Sequence, residues 1–508
     1  GAALAISPIH AMFGADLARF SPYGPSSRLF LNALYIDPAA VLGEDGFRAA
    51  MQDLGPAFRQ ALAKEEQSEL IDWPEASALR LVLLRRLYDR FRSHGTREMQ
   101  RELEIFRLKQ GRKLEDHARF EVLHDWFRRT SDLNDWQHWP AAYRDPAGSV
   151  VKNFARQHEE DVSFHAFLQW QAAIGMASAQ RQAREAGMAV GVIADMAVGA
   201  DRSGSQSWSG QQEMLNGFSV GAPPDIFNKR GQNWGIGAIS PGAMRANGFQ
   251  SYVAMLRAAF AHAGGVRIDH ALGLARLWLV PDGVPAGEGA YFRYPLADLQ
   301  RLIALESWRH RAIVIGENLG TVPEGFNDEL ARVGLLGTQV LLFQRDHAGF
   351  LPPQAWSSDS IATTTTHDLP TIAGWWKGRD IDWQVKLDRL PSGMAENEIR
   401  QARLKERNEL LQAIAPADIQ DGTASDIAET PPMDAVASFV AATPAPLVIL
   451  PIEDALGLTE QANLPDTIDA HPNWRRRLPE PVDTILQLPN VRRRLVLLDQ
   501  RRRARGMP

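Results

Sequence analysis

Three acidic residues stand at the ends of short apolar runs in this sequence, namely Asp269, Glu317 and Asp368. Cleavage of a glycosidic bond with retained stereochemistry needs two carboxyl groups, one to attack the anomeric carbon and one to protonate the leaving oxygen. Their surroundings must separate the two pKa values, so that one group is ionised while the other holds a proton. A single Asp after a strand is more often a helix N-cap. Three such acids in order are harder to explain as helix caps, and they are therefore candidate catalytic residues.

The residues beside these acids suit different roles. Arg267 lies two positions before Asp269 and so on the same face of a strand, where its guanidinium would keep that carboxylate ionised and oriented. We therefore expect Asp269 to be the nucleophile. The longer Glu317 suits proton transfer to the leaving oxygen, and Asp368 suits binding sugar hydroxyls or stabilising positive charge. His367 and Asp368 could equally form a structural pair.

The apolar runs that these acids close are typical of buried parallel strands. Helical segments separate some of them, as at 248–263 and 296–311, so the alternation predicts an α/β fold of the (β/α)8, or TIM, barrel type. In such a barrel the strand ends form the catalytic mouth. Seven runs are visible where a closed barrel has eight, so one strand is either cryptic or upstream of Gly1. The runs cover residues 4–9, 188–198, 265–270, 312–319, 337–344, 361–368 and 446–454.

Two regions between these strands predict large insertions. Residues 40–185 have helical periodicity. The apolar face predicted within 79–91 consists of Leu79, Val82, Leu83, Leu87 and Phe91. Residues 199–242 are rich in Gly, Ser and Pro and predict a long loop, either a lid with Trp208 and Trp234 or a passive surface loop. The predicted parts are an early barrel strand and substrate-binding segment (1–39), a helical insertion with barrel elements (40–185), the main catalytic barrel (186–480) and a C-terminal helix (481–508).

Composition narrows the classes of protein. The chain has 508 residues, 45% of them hydrophobic, and a net charge of -6, which argues against a general nucleic-acid binder. It has no Cys, which excludes disulfides and thiolate metal sites and is compatible with the cytoplasm. The sequence has no run of about 18 apolar residues, so it predicts no membrane span. The 14 Trp residues suit sugar stacking, although core packing is the commoner use of a Trp.

Long motifs along nearly the whole chain resemble the amylomaltases, the 4-α-glucanotransferases of glycoside hydrolase family 77, which are related to the α-amylases. Their combination is specific, because several of them are long and all occur in the family's order. The segments are SPYGPSSRLFLNALYID (21–37), GAPPDIFNKRGQNWG (221–235), VRIDH (266–270), GENLG (316–320), TTHDLPTIAGWW (365–376), EDALGLTEQANLPDT (453–467) and HPNWRRRL (471–478).

The resemblance implies a role for each matching residue. Asp269 matches the family's nucleophile, Glu317 its general acid/base and Asp368 its transition-state stabiliser. It also implies maltodextrin or other α-1,4-glucan substrates and no cofactor or metal. The residues that match substrate-binding positions are Tyr23, Asp195, Asp225, Gln232, Trp234, Arg267, His270 and His367.

The chain departs from the family pattern at two places. Asn318 follows Glu317 where the family usually has Asp, and the loss of a neighbouring negative charge should alter the pH dependence of activity. The family also has a first barrel strand upstream of the point where this sequence starts. We therefore expect the first run here to correspond to the second barrel strand, with the first strand missing from this chain.

Three alternatives stay open at this stage. Transfer and hydrolysis share their first step, so spacing alone does not separate a glucanotransferase from an amylase-type hydrolase. A non-catalytic glucan-binding protein would be expected to lack one of the three acids. Three runs of three Arg each could indicate nucleic-acid binding, but charge runs are usually solvated or salt-bridging surfaces. These runs are 475–477, 492–494 and 501–503.

Overall fold

The computed structural model describes residues 1–224, 229–391, 393–414 and 430–506. Two compact units are present: a first unit, Ala3–Val314, and a second unit, Ile315–Pro508 together with Gly1–Ala2. The strands are β1 (Ala3–Ala5), β2 (His10–Ala11), β3 (Ser27–Leu31), β4 (Gly191–Met196), β5 (Ala200–Asp201), β6 (Phe218–Ala222), β7 (Gln232–Gly237), β8 (Gly265–Ile268), β9 (Arg276–Pro281), β10 (Ala290–Arg293), β11 (Ile313–Gly316), β12 (Gly337–Val340), β13 (Arg345–Asp346), β14 (Gly349–Phe350), β15 (Ser360–Thr363) and β16 (Val448–Ile449).

All seven apolar runs of the sequence overlap a strand, as predicted. They supply a four-stranded sheet in the order β1-β4-β8-β11 and a three-stranded sheet in the order β12-β15-β16. β4 pairs in parallel with β1 and β8, and β15 pairs in parallel with β12 and β16. β4 and β15 are buried along their whole length, which explains their continuous apolar sequences.

Helices fill most of the remaining chain. They are α1 (Pro38–Gln67), α2 (Trp73–His94), α3 (Arg97–Gln110), α4 (Arg112–Ser131), α5 (Ala141–Arg144), α6 (Ser149–Gln157), α7 (Glu159–Glu185), α8 (Ser205–Ser209), α9 (Pro241–Ala246), α10 (Gln250–Phe260), α11 (Leu296–His310), α12 (Phe326–Arg332), α13 (Ile372–Lys377), α14 (Arg379–Lys386), α15 (Glu396–Ala413), α16 (Met433–Ala441), α17 (Ile452–Leu456), α18 (Val482–Ile485) and α19 (Pro489–Ala504). The helical character predicted for 40–185, 248–263 and 296–311 is confirmed.

The helices of the first unit bury several apolar clusters. One cluster joins α1, α2 and α7 through side chains such as Leu87 and Phe167. The predicted apolar face of α2 is correct except at Val82, which is 48% exposed, while Leu84 is buried in its place. A helical face of finite width drifts around the axis, so its edge is harder to predict than its centre.

The structure of 199–242 differs from the predicted long loop. The segment contains β5, β6, β7, α8 and the start of α9, and its three strands join β9 and β10 in a five-stranded antiparallel sheet of order β10-β9-β6-β7-β5. Trp208, proposed as part of a lid, is fully buried against Phe120 and Trp139, and its indole N–H donates to the Tyr143 carbonyl. The Gly and Pro residues of this segment therefore mark turns of a small sheet.

The second unit has its own core. Helices α13, α15 and α16 pack apolar side chains such as Ile372, Leu410 and Val436 around Ala362 of β15. The C-terminal helix α19 is fixed to α16 by arginines: Arg493 and Arg494 contact Asp434, and the buried Arg502 donates to the Thr443 carbonyl. Three arginines from two of the three Arg runs therefore have partners within the second unit, as expected for salt-bridging surfaces.

Candidate active site

The strand β8 ends at the residue predicted to be the nucleophile. The register pairs Arg267 with Asp195 of β4, and the Asp269 amide donates to the Met196 carbonyl at 3.0 Å, so the ladder continues to this point. His270 then adopts a left-handed conformation with φ of 47°, which stops the strand. This turn leaves Asp269 at the strand end with its side chain only 17% exposed.

Four side chains form a continuous chain of polar contacts, here called the Asp269 cluster: Tyr23, Asp195, Arg267 and Asp269. The Tyr23 hydroxyl donates to Asp195 Oδ2 at 2.8 Å. Arg267 Nη1 lies 2.9 and 2.8 Å from the two Asp195 oxygens and 3.0 Å from Asp269 Oδ1. One guanidinium thus serves two carboxylates, a charge-assisted arrangement that fixes their orientation. The contact expected between Arg267 and Asp269 is confirmed.

Burial shifts the pKa values of two groups around the Asp269 carboxylate, Tyr23 and His270. It raises the pKa of the Tyr23 phenol well above its usual value, and the neighbouring Asp195 acts in the same direction, so Tyr23 remains a hydrogen-bond donor. Burial lowers the pKa of His270, although the adjacent Asp269 opposes this shift. The imidazole is therefore neutral at neutral pH and can donate or accept a hydrogen bond to a sugar hydroxyl.

The strand β7 presents two more predicted residues beside His270. Gln232 and Trp234 are two positions apart and share a face of the strand. The Trp234 indole N–H donates to Gln232 Oε1 at 2.9 Å, and its ring meets the His270 ring edge-on with centroids 5.4 Å apart. Asp225 lies outside the described residues, so its predicted role stays a prediction.

In the second unit, Glu317 directly follows β11. Its Oε1 accepts a hydrogen bond from the Leu319 amide at 2.6 Å, which turns the chain away from the strand. The neighbouring Asn318 is buried and links two elements: its Oδ1 accepts from the Thr338 amide of β12, and its Nδ2 donates to Asn327, both at 2.7 Å. The residue that replaces the family's Asp therefore uses an amide donor that a carboxylate lacks.

His367 and Asp368 lie on the loop 364–371 that follows β15, here called the His367 loop. His367 Nε2 is 3.3 Å from Asp368 Oδ2. Asn463 donates its side-chain amide to Asp368 Oδ1 at 2.6 Å, and its backbone amide donates to the His367 carbonyl at 3.1 Å. The Trp474 ring lies 5.4 Å from the His367 ring. Asn463 thus holds both residues at once.

The sequence profile described as 4-alpha-glucanotransferase, glycoside hydrolase family 77, matches residues 1–483. The chain belongs to this family. A 4-alpha-glucanotransferase of Mycobacterium bovis is 36% identical over 470 residues, covering 91% of this chain and 63% of the relative. The chain therefore spans somewhat less than two thirds of the length of that curated relative.

Solved structures of the family agree with the fold. The crystal structure of amylomaltase from Corynebacterium glutamicum superposes with a TM-score of 0.83 at 27% identity and covers 98% of this chain and 70% of that one. An amylomaltase from Streptococcus agalactiae, solved in complex with acarbose, superposes with a TM-score of 0.78 at 18% identity, covering 99% of this chain and 92% of that one. The fold is therefore an α/β barrel with helical insertions, as predicted.

One buried carboxyl behind the His367 loop was not predicted from the sequence. Asp454 is fully buried, accepts a hydrogen bond from the Thr364 hydroxyl at 2.5 Å and another from the Ile372 amide at 2.8 Å. It therefore contacts both sides of the loop that carries His367 and Asp368. Burial raises the pKa of Asp454 to about 7.

The sequence motifs that resemble the family include Asn463, Asp454 and Trp474, but they assign no role to these three residues. All three lie in the two C-terminal motifs, 453–467 and 471–478, whose resemblance to the family gave no function to individual residues. Among the residues that the structure describes, no His, Asp and Glu side chains group in the way a metal ion needs. None of the helices in the described parts of the chain combines the length and apolar character that crossing a membrane requires.

Proposed function

We propose that this chain is a 4-α-glucanotransferase that moves α-1,4-glucan segments between maltodextrins with retention at the anomeric carbon. The observation that carries the proposal is the Asp269 cluster, in which one guanidinium orients the carboxylate at the end of β8. Membership of family 77 supports the reaction class. The acarbose complex of the streptococcal relative supports a saccharide ligand.

In the first half of the proposed reaction, Asp269 attacks the anomeric carbon of the donor glucan. Glu317 gives its proton to the glycosidic oxygen, the bond to the leaving sugar breaks, and a β-linked glycosyl ester of Asp269 forms. The Arg267 guanidinium orients the Asp269 carboxylate, and Asp195 holds the same guanidinium in place. Asp368 would stabilise the positive charge that develops on the sugar ring.

In the second half, Glu317 acts as base on the incoming group. A sugar 4-hydroxyl re-forms an α-1,4 bond, whereas water gives hydrolysis, and the stereochemistry is retained in both cases. Transfer requires that an acceptor sugar be held and water be excluded. We assign binding of the glucan to the remaining predicted residues, namely Tyr23, Asp195, Asp225, Gln232, Trp234, Arg267, His270 and His367.

The test is incubation of the chain with maltotriose, followed by separation of the products. Transfer gives glucose together with a ladder of longer maltodextrins. Asp269→Asn should lower the rate by at least about a thousandfold, because it removes the nucleophile. Asp282→Asn is a matched control, since Asp282 is a half-exposed carboxylate paired with Arg202 on the surface of the same unit.

Each other outcome corresponds to an alternative function. Products no longer than maltose would identify an amylase-type hydrolase. Binding of maltodextrin without turnover, in both the wild-type chain and Asp269→Asn, would identify a glucan-binding protein without catalysis. Equal activity of wild type and Asp269→Asn would contradict the proposed mechanism whatever the products are.

We also propose that the chain acts in the cytoplasm. The complete absence of Cys is compatible with a reducing compartment but does not require one. Fractionation of the source cells with an antibody against the chain tests this location. Recovery with the secreted or membrane fraction would contradict it.

A further inference from the structure

One tryptophan stands out from the rest by its exposure. Trp308, in the last turn of α11, is 78% exposed, whereas the next most exposed Trp, Trp126, is 38% exposed and packs against Phe154 and His158. Among the described residues, the Trp308 side chain has no hydrogen bond and no ring contact, and its backbone carbonyl accepts a hydrogen bond from the Arg311 amide at 3.2 Å. Exposure of a single apolar residue is ordinary, but an indole ring that is open to solvent leaves a flat face on which a ligand can stack.

The surroundings of Trp308 form a shallow site. An open depression of about 600 Å³ is lined by Ser307, Trp308, Arg309, Arg311, Ala312 and Ile313. Trp308 lies in the last turn of α11, Arg311 is the residue that follows the helix, and both line the depression. Arg311 has a left-handed backbone with φ of 51°, which few residues other than Gly and Asn adopt.

The other polar groups of this depression are already engaged. The Ser307 hydroxyl donates to the Ala312 carbonyl at 2.7 Å. Arg309 is 2.8 Å from Glu306, which also pairs with Arg257 at 3.0 Å. Within the part of the chain that the structure describes, Arg311 has no ion pair and is exposed. The depression therefore offers one free indole face and one free guanidinium.

This pair fits a neutral saccharide better than a polyanion. The flat indole face suits the C–H face of a pyranose ring, and the guanidinium can donate several hydrogen bonds to ring hydroxyls. A single unpaired cation is too little for nucleic acid, which is bound through many phosphate contacts. We propose that Trp308 and Arg311 form a surface site for an α-glucan chain, an inference that rests on the proposed function.

The site is separate from the Asp269 cluster of the same unit. The Ile313 amide donates to the Gly264 carbonyl at 3.0 Å, just before β8 begins, whereas Asp269 follows the last residue of β8. The depression and the Asp269 cluster therefore lie at opposite ends of β8, roughly 15 Å apart along the strand by its ordinary rise per residue. A glucan held at Trp308 would tether a long polymer without occupying the reaction site.

Electrophoresis of the full chain in native gels containing glycogen tests this site. In an Asp269→Asn background, which prevents turnover, Trp308→Ala should weaken retardation by glycogen about fivefold, the value of one aromatic stacking contact. Trp308→Phe should keep part of it. Leu108→Ala is the control, because Leu108 is an equally exposed apolar side chain on another helix, 81% exposed.

Activity and size measurements complete the test. With Asp269 intact, Trp308→Ala should turn over maltotriose at the wild-type rate but show a raised KM for glycogen. Equal glycogen retardation of wild type and Trp308→Ala would overturn the site, as would a change of oligomeric state in Trp308→Ala, which would mark a protein contact. If the proposed function is wrong and the surface site is right, the result differs: the wild-type chain binds glycogen through Trp308 but makes no products from maltotriose.

Discussion

The two units hold their candidate catalytic carboxylates in contrasting ways. Asp269 contacts the guanidinium of Arg267, a permanent positive charge, and its side chain is 17% exposed. Asp368 is held by the neutral amide of Asn463 and by the His367 imidazole, and its side chain is 46% exposed. The first carboxylate thus contacts a permanent cation inside the fold, whereas the contacts of the second, more exposed carboxylate include a neutral amide.

This difference suits the two proposed tasks. A nucleophile must be ionised and aimed before the substrate arrives, which a shared guanidinium achieves. A group that stabilises transient positive charge needs correct placement but benefits from keeping its own negative charge uncompensated. An amide donor orients a carboxylate without cancelling its charge. The Asn463 contact therefore orients Asp368 and brings no positive charge of its own.

The largest expected effect comes from removing the shared cation. Arg267→Met should lower the kcat/KM for maltotriose about a hundredfold, because Asp269 loses its orienting contact. It should also lower the free energy of unfolding by about 3 kcal/mol, since Asp195 is left as a buried carboxylate without its guanidinium. Urea unfolding and the maltotriose assay measure the two effects separately.

A second substitution tests whether the loss of stability in Arg267→Met comes from the unpaired charge of Asp195 or from the changed shape of residue 267. In an Arg267→Met background, Asp195→Asn should restore part of the lost stability, because it removes the unpaired buried charge, while activity should remain low. If Asp195→Asn restored no stability, the contrast between the two units would not rest on charge compensation.

The second unit should respond to the loss of Asn463 in a different way. Asn463→Ala removes one hydrogen bond to a charged group, so kcat should fall about tenfold with little change in thermal stability, because the contact is exposed. Asn463→Asp should reduce kcat further, since it places a second negative charge beside Asp368. A fall in stability as large as that of Arg267→Met would show that the two carboxylates are held by equally buried contacts.

The contrast also explains which parts of the site could be predicted. Arg267 and Asp269 lie on one strand, where a spacing of two residues fixes a shared face, so their contact follows from local sequence. Asn463 reaches Asp368 across 95 positions of the chain, and no local pattern encodes such a contact. The family resemblance identified the segment 453–467, but only the folded structure shows that Asn463 is the residue in it that contacts Asp368.

The fold shows the same limit. Runs of buried apolar residues predicted all seven parallel strands, because burial on both faces leaves a continuous signal. The antiparallel sheet within 199–242 was missed, since its strands are short and interrupted by Gly and Pro, and its ladder includes β9 and β10 from further along the chain. The burial of Trp208 was missed for the same reason, as its partners Phe120 and Trp139 come from a distant helical region.

A smaller effect concerns the dependence of stability on pH. Burial raises the pKa of Asp454 from 3.8 to about 7, so the folded state binds a proton more tightly than the unfolded state. Stability is therefore lost as pH rises through this window. Asp454→Asn cannot ionise, and it should flatten the slope of the unfolding free energy near pH 6 by at most about 1.4 kcal/mol per pH unit.

Glu121 provides the matching measurement in the first unit. It is buried, accepts a hydrogen bond from the Gly14 amide at 2.8 Å, and burial raises its pKa to about 8. Glu121→Gln should therefore flatten the same slope over a range that extends about one pH unit higher. If unfolding of either variant in urea followed the wild-type pH dependence, that carboxyl would not be a proton-binding group of the folded state.

The smallest expected effect tests the departure at Asn318. Asn318→Asp restores the family's negative charge beside Glu317, which should keep the general acid protonated to higher pH and move the basic limb of the pH–rate curve upward by roughly half a pH unit. It also removes the amide that donates to Asn327, so Asn327→Ala serves as the control for that lost hydrogen bond. An Asn318→Asp curve that superposes on the wild-type curve would contradict an electrostatic role for this position. A shift shared with Asn327→Ala would instead assign the effect to the hydrogen bond.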